Sequence, residues 1–109
     1  MPSNKRFEEI VAWQKARLLV SKIYQVCDRT PLRRDFGLCD QIRRASVSSM
    51  TNIAEGFGRK TDGDFAHFLD VARASVLEVE SLINLLRISS IFSKTNSMKS
   101  ILSLKRPFH

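Results

Sequence analysis

The sequence predicts an all-α protein, a left-handed antiparallel helical bundle of three clear helices with a fourth that is atypical or incomplete. Three observations predict it. Apolar residues recur at spacings of three and four through three separate segments. Short stretches rich in glycine, proline and charge separate those segments. The chain of 109 residues has the length of one domain, 1–109, with linkers too short to divide it.

The first helix is expected from about Phe7 to Cys27, after a polar lead-in over residues 1–6. Trp13, Ala16, Val20, Ile23 and Cys27 keep the spacing of a bundle seam. Ile10, Leu19, Tyr24 and Val26 widen the apolar arc, so this helix is expected to make contact on more than one side. Asp28 to Asp35 reads as a loop, made basic by Arg33 and Arg34, with Pro31 disfavouring helix at Thr30.

The second helix is expected from Phe36 to Gly58, with Gly37 just before it and Gly56 and Gly58 closing it in left-handed geometry. Leu38, Ile42, Ala45, Ser49 and Ile53 share one face. Val47, Met50 and Ala54 form a second apolar stripe beside Arg43, with Gln41, Arg44, Ser48, Thr51 and Glu55 between the two. Two apolar faces call for two partners, the rest of the chain and another subunit.

After a turn at residues 56–63, Thr61 and Asp64 form a variant capping box, and a third helix is expected to about Leu86. Phe65, Phe68, Ala72, Ser75, Val79, Leu82 and Leu86 make its seam, reinforced by Leu69, Val76 and Ile83. Trp13, Tyr24, Phe65 and Phe68 are read as core. Residues 87–109 form a divergent basic tail with five basic residues and no acid. Met98, Ile101, Leu102 and Leu104 give a short fourth helix from about Ser97 to Lys105, ended by Pro107.

The stretch FGLCDQIRRASVSSMTNIAEGFGR carries a resemblance. Phe36, Gly37, Leu38, Gln41, Ile42, Arg43, Arg44, Ala45, Val47 and Ser48, then Asn52, Ile53, Ala54, Glu55, Gly56 and Arg59, fit the motif FGL-x-x-Q-I-R-R-A-x-V-S…N-I-A-E-G-x-x-R. This resembles the bacterial four-helix-bundle proteins encoded in intervening sequences of the large-subunit ribosomal RNA gene, once grouped with ribosomal proteins. FEEIVAWQKARLL and DFAHFLDVARASVLEVES extend the resemblance over about residues 7–86. It implies an up-down four-helix bundle and a ring-like homo-oligomer, commonly a pentamer, and no known activity. A relative, the basic accessory protein of diversity-generating retroelements, is thought to bind nucleic acid and a reverse transcriptase. The sequence departs from the family's pattern from about Leu86, and the loss of acids there has the look of an altered reading frame or a degenerate end.

The formal net charge is +7 and the pI about 10.0. That balance favours an anionic partner. Residues 1–86 carry 13 bases against 11 acids, a net of +2, so the body is less basic than the whole. Cys27 and Cys39 fit no metal spacing and read as reduced cysteines. The N-terminus lacks a signal-peptide core, no apolar run reaches the roughly 20 residues that span a bilayer, and a cytoplasmic protein is expected.

No catalytic constellation is present in the sequence. His67 with Asp64 and Asp70 lacks a third metal ligand at fitting spacing, and Ser46, Ser48 and Ser49 have no histidine partner. Residues 56–61 lack the P-loop pattern. The expectation is therefore a non-enzymatic protein that needs no cofactor and no metal. Arg33, Arg34, Arg44, Arg59 and Lys60 are the candidates for neutralising RNA or DNA phosphates. Arg43, Val47, Met50 and Ala54 are the candidates for a subunit interface. A structural oligomer or protein adaptor without nucleic acid is the alternative. A helix-turn-helix DNA binder over residues 50–69 is disfavoured, because Arg59, Asp64 and His67 fall where that motif buries side chains.

Overall fold

The computed structural model describes residues 6–29 and 32–95, with side chains described through Ile88. Its order is a 3-10 turn at Phe7–Glu9, helix α1 at Val11–Cys27, a second 3-10 turn at Leu32–Arg34, α2 at Phe36–Phe57 and α3 at Asp62–Thr95. There is no strand among the described residues. The class is all-α, with three helices; the expected fourth helix at Ser97–Lys105 lies outside the described residues.

The chain runs up, down and up. Tyr24 stacks against Arg43 and Cys27 meets Cys39, so α1 and α2 are antiparallel. Gly56 faces Phe65 and Phe68, Ser48 bonds Ser75 and Gln41 reaches Glu78, so α2 and α3 are antiparallel as well. The helix in the middle is α2. Among the described residues, no Cα of α1 comes within 8 Å of a Cα of α3, although side chains of both join the same core cluster with α2.

The core has two parts. One joins Ile23 and Cys27 of α1 to Cys39, Ile42 and Ala45 of α2 and to Val79 and Leu82 of α3. The other joins Ala16, Ile53 and Ala72, with Ile10, Trp13, Met50 and Leu69 half-buried around it. Ser46 and Ser49 are fully buried beside these groups. Each hydroxyl donates to a carbonyl three residues back, Ser46 to Arg43 at 2.9 Å and Ser49 to Ser46 at 2.6 Å. A buried hydroxyl satisfied within its own helix carries little desolvation cost. Across α2 and α3, the Ser48 and Ser75 hydroxyls share a hydrogen bond of 2.9 Å, and Asn52 donates to the Ser48 carbonyl and hydroxyl.

Several helix ends differ from the sequence expectation. Ile10 takes an extended conformation (φ −75°, ψ 125°), which separates the turn at Phe7–Glu9 from α1. Asp35 caps α2 by accepting from the Leu38 N–H at 3.1 Å, so Gly37 lies inside the first turn rather than before it. The expected left-handed closure is absent: Gly58 sits at φ −79°, ψ −4°. Gly56 is instead needed for space. A Cβ there would meet the Phe68 Cβ at 2.8 Å and a Phe65 ring carbon at 3.0 Å. Thr61 caps α3 as expected, accepting from the Asp64 N–H at 3.1 Å. α3 does not stop at Leu86 but continues to Thr95. Four residues assigned to apolar faces are exposed: Tyr24, Val26, Val76 and Ile83.

Cys27 and Cys39 are both buried and free. Each thiol points to the other's carbonyl, at 3.9 and 3.8 Å, and the Cys39 thiol also donates to the Leu32 carbonyl at 3.2 Å. Burial, then the hydrogen bond and charge of Cys39, push the Cys27 thiol from 9.0 up to about 11, against the lowering pull of Arg43.

Two expectations follow. Replacing Gly56 with alanine gains about 1 kcal/mol of helix propensity. The clash is with a Cβ fixed to the α3 backbone, which costs about 1–3 kcal/mol. Gly56→Ala is therefore expected to lower the urea midpoint. Gly37→Ala, with nothing within 4 Å of the added carbon, is expected to raise it by a stabilisation of about 0.5–1 kcal/mol. For the Cys27 thiol, the folded value lies above the unfolded one, so the unfolded chain loses this proton first as pH rises. Stability is complete below pH 9 and declines from pH 9 toward pH 11, a trend that urea titrations along a pH series measure and that Cys27→Ser removes.

Candidate functional site

Two of the three sides of α2 are covered, one by α1 and one by α3. Among the described residues, the third side is open. A groove lies along it, made of two adjoining hollows that share Thr51. One, of about 380 Å³, is lined by Tyr24, Asp40, Arg43, Arg44, Val47 and Ser48. The other, of about 430 Å³, is lined by Phe7, Ala54, Glu55, Gly58 and Arg59. Helical spacing explains the set. Residues 40, 43, 44, 47, 51, 54, 55 and 58 recur at intervals of three, four and one, which keeps them on one face. Val47 and Ala54 form an apolar floor, and Tyr24 and Phe7 overhang it from the preceding elements.

The arginines along this face are held in different ways. Arg43 lies back against α1, with its guanidinium carbon 5.3 Å from the Tyr24 ring centre and a nitrogen 3.6 Å from Asp28. Its Nε is buried without a hydrogen-bond partner. Arg44 stands out into solvent, its side chain 80 % exposed, and pairs with Asp40 at 3.1 Å one turn away. Exposed pairs of this kind contribute about 0.3–0.5 kcal/mol, which a phosphate can displace. Arg59 pairs with Glu55 at 2.9 Å and stacks at 4.7 Å over the Phe68 ring, an arrangement that ties it to both α2 and α3.

The five arginines and lysines expected to meet nucleic acid do not form one cluster. Arg33 and Arg34 precede α2, Arg59 and Lys60 follow it, and the 22 residues of α2 lie between them. At about 1.5 Å per residue the two pairs are roughly 33 Å apart. Arg44 is the exposed cation between them. All but Arg44 lie beyond the ends of α2, so the basic groups mark a line rather than a pocket.

Of the four residues expected at a subunit interface, Arg43, Val47 and Ala54 line the groove. Met50 does not. It turns toward Ala16, Ile53 and Ala72 and belongs to the chain's own core. Sequence reasoning left out Phe7 and placed Tyr24 in the core. Their signal was an apolar arc on the first helix too wide for one neighbour, but nothing in the spacing says which edge of that arc stays uncovered.

His67 is exposed and packs edge-to-face on Phe68 at 5.3 Å. Among the described residues, no three metal-ligating side chains come together. Asp64 and His67 are on the surface, and α3 follows α2 along its length from Gly56 to Gln41. A helix-turn-helix unit buries those positions, and its second helix crosses the first. No described helix is long and apolar enough to cross a membrane.

Comparison with known proteins agrees with the motif on α2. No curated protein and no solved structure matches the chain. A family match does run from residue 8 to residue 106. It takes in α1, α2 and α3 and most of the residues after them, so the family's pattern does not end at about Leu86. On that match, the chain belongs to the family of the 23S rRNA-intervening sequence protein.

Proposed function

We propose that this chain is a non-enzymatic, cytoplasmic subunit of a homo-oligomer, pentameric as the family resemblance implies, that binds RNA along the exposed edge of α2. The observation that carries the reading is the open face of α2. On it an apolar floor, Val47 and Ala54, lies beside an arginine, Arg44, held only by a weak surface pair. The floor fits a second subunit. Arg44, with Arg33 and Arg34 at one end and Arg59 and Lys60 at the other, supplies cations in a line suited to a phosphate backbone. Arg43 has a different part. Folded on Tyr24 and Asp28, it fixes the shape of the groove wall.

The four-helix bundle that the family resemblance implies is part of this reading, and Val76 and Ile83 of α3 are exposed apolar residues that such a bundle would use. No cofactor takes part in this reading. A second reading, a structural oligomer or protein adaptor that ignores nucleic acid, is favoured by the pairing of Arg44 with Asp40 and of Arg59 with Glu55, which lowers the net charge of the edge.

The two readings separate in a salt titration. With protein freed of nucleic acid, single-stranded RNA is expected to bind at low salt, with affinity falling steeply as salt rises. Arg44→Ala is expected to weaken binding alike for all sequences. It is also expected to reduce the log–log salt slope by about 0.7, the share of one phosphate no longer neutralised. Absence of RNA binding at low salt, in protein whose mass by light scattering is that of an oligomer, would leave the adaptor reading.

A further inference from the structure

The groove has a counterpart on the far side of the molecule. On α3, Ala74, Leu77, Ser81, Leu85 and Ile88 recur at spacings of three, four, four and three, which places them in one stripe. It points away from α2: Val79, half a turn from Leu77 and Ser81, is 2 % exposed, whereas Leu77, Leu85 and Ile88 are 53, 47 and 51 % exposed. This stripe plays no part in the chain's own core. It is a ridge of large side chains separated by small ones, on a helix whose other side is already packed. Large exposed apolar side chains in a row of this kind, interrupted only by the small Ser81, mark an interaction site.

Charge distinguishes the two surfaces. Between Asp62 and Ile88, the length of α3 that reaches the end of the stripe, there are five acids and two bases, Arg73 and Arg87, a net of −3. Asp70 lies in line with the stripe, and Glu78 and Glu80 flank it. The segment 33–60, which builds the groove, carries six bases and three acids, a net of +3. Length fits as well. From Ala74 to Ile88 the stripe spans roughly 21 Å, and from Asp40 to Gly58 the groove spans roughly 27 Å, at about 1.5 Å per residue.

We infer that the outer stripe of α3 in one copy seats in the α2 groove of a second copy. The apolar ridge of Leu77, Leu85 and Ile88 covers the floor of Val47 and Ala54, and the acids of α3 face the arginines of the groove rim. The inference rests on the homo-oligomer reading above and names its two contact surfaces. Because groove and stripe are different parts of one chain, the contact is head-to-tail. Each copy keeps one groove and one stripe free for further copies, and assembly ends only where a ring closes. RNA then meets the outer side of Arg44, which stands 80 % exposed at the groove rim, together with Arg33, Arg34, Arg59 and Lys60 at and beyond the groove's ends.

Two variants, each blocking one surface, test this. Leu77→Asp with Leu85→Asp spoils the stripe. Val47→Asp with Ala54→Asp spoils the groove. Each alone is expected to reduce the light-scattering mass from that of the wild-type oligomer to one subunit, with the helical circular dichroism retained. Mixed one to one, they are expected to form a dimer and nothing larger, since one sound groove and one sound stripe remain. A folded stripe variant with the wild-type mass, or two folded monomers that do not combine, would overturn the inference while leaving the oligomer reading intact. A monomeric wild-type chain would overturn both. Should either variant fail to fold, chains carrying Thr51→Cys are mixed with chains carrying Leu77→Cys and treated with a short bismaleimide. A crosslinked heterodimer supports the contact, and crosslinking confined to like chains overturns it.

Discussion

Everything in this molecule passes through α2. Helices α1 and α3 each pack on it, and among the described residues no Cα of one comes within 8 Å of a Cα of the other. The constraint that permits this is small side-chain volume. Ala45, Ser46, Ser49 and Gly56 are buried on α2, and Ala16, Ala72 and Ser75 answer them from the flanking helices. Close approach brings many dispersion contacts per residue, but leaves no spare volume. Gly56 is the extreme case, where even one added carbon overlaps the α3 side chains. The serines keep their hydroxyls satisfied inside their own helix, so a polar group is buried without an unpaired donor.

The same constraint leaves one face of α2 uncovered among the described residues. A helix gripped by two neighbours through small residues must show its remaining side. On α2 that side holds Val47 and Ala54 at its floor and arginines around it. The arginines are not equivalent. Arg43 spends its guanidinium on Tyr24 and Asp28, Arg59 on Phe68 and Glu55, and only Arg44 relies on a single exposed carboxylate. Adjacent residues with the same side chain thus have different parts, because a step of one residue turns a helix by about 100°. Arg43 is turned toward α1 and Arg44 away from it.

The paired thiols mark the other end of the α1–α2 contact. They close the core just below the loop that carries Arg33 and Arg34, and the bond from Cys39 to the Leu32 carbonyl ties that loop to the helices. Burial raises the Cys27 thiol above its ordinary value, which suits it to packing rather than to chemistry. The described parts of the molecule are in this sense arranged for contact, with apolar surface left uncovered on α2 and on α3.

Three helices and their inner faces follow from residue order alone. Ala16, Ile23, Cys27, Ile42, Ala45, Ile53, Ala72, Val79 and Leu82 are all buried where three-and-four spacing puts them, because a helix fixes side-chain direction locally. The family follows too, through a motif on α2 too long to arise by chance. What lies at the edges of those faces was settled by packing. Met50 and Val47 are both apolar and three residues apart, yet one packs into the core with Ala16, Ile53 and Ala72 and the other faces the groove. Tyr24 was assigned to the core and stands at a groove wall. Gly56 and Gly58 both read as helix terminators, yet Gly56 serves contact with α3 and Gly58 takes an ordinary right-handed conformation. Spacing gives a residue its angle about its own helix axis. Which angles are covered depends on where the neighbouring helices sit, and that is fixed by packing between segments distant in the chain.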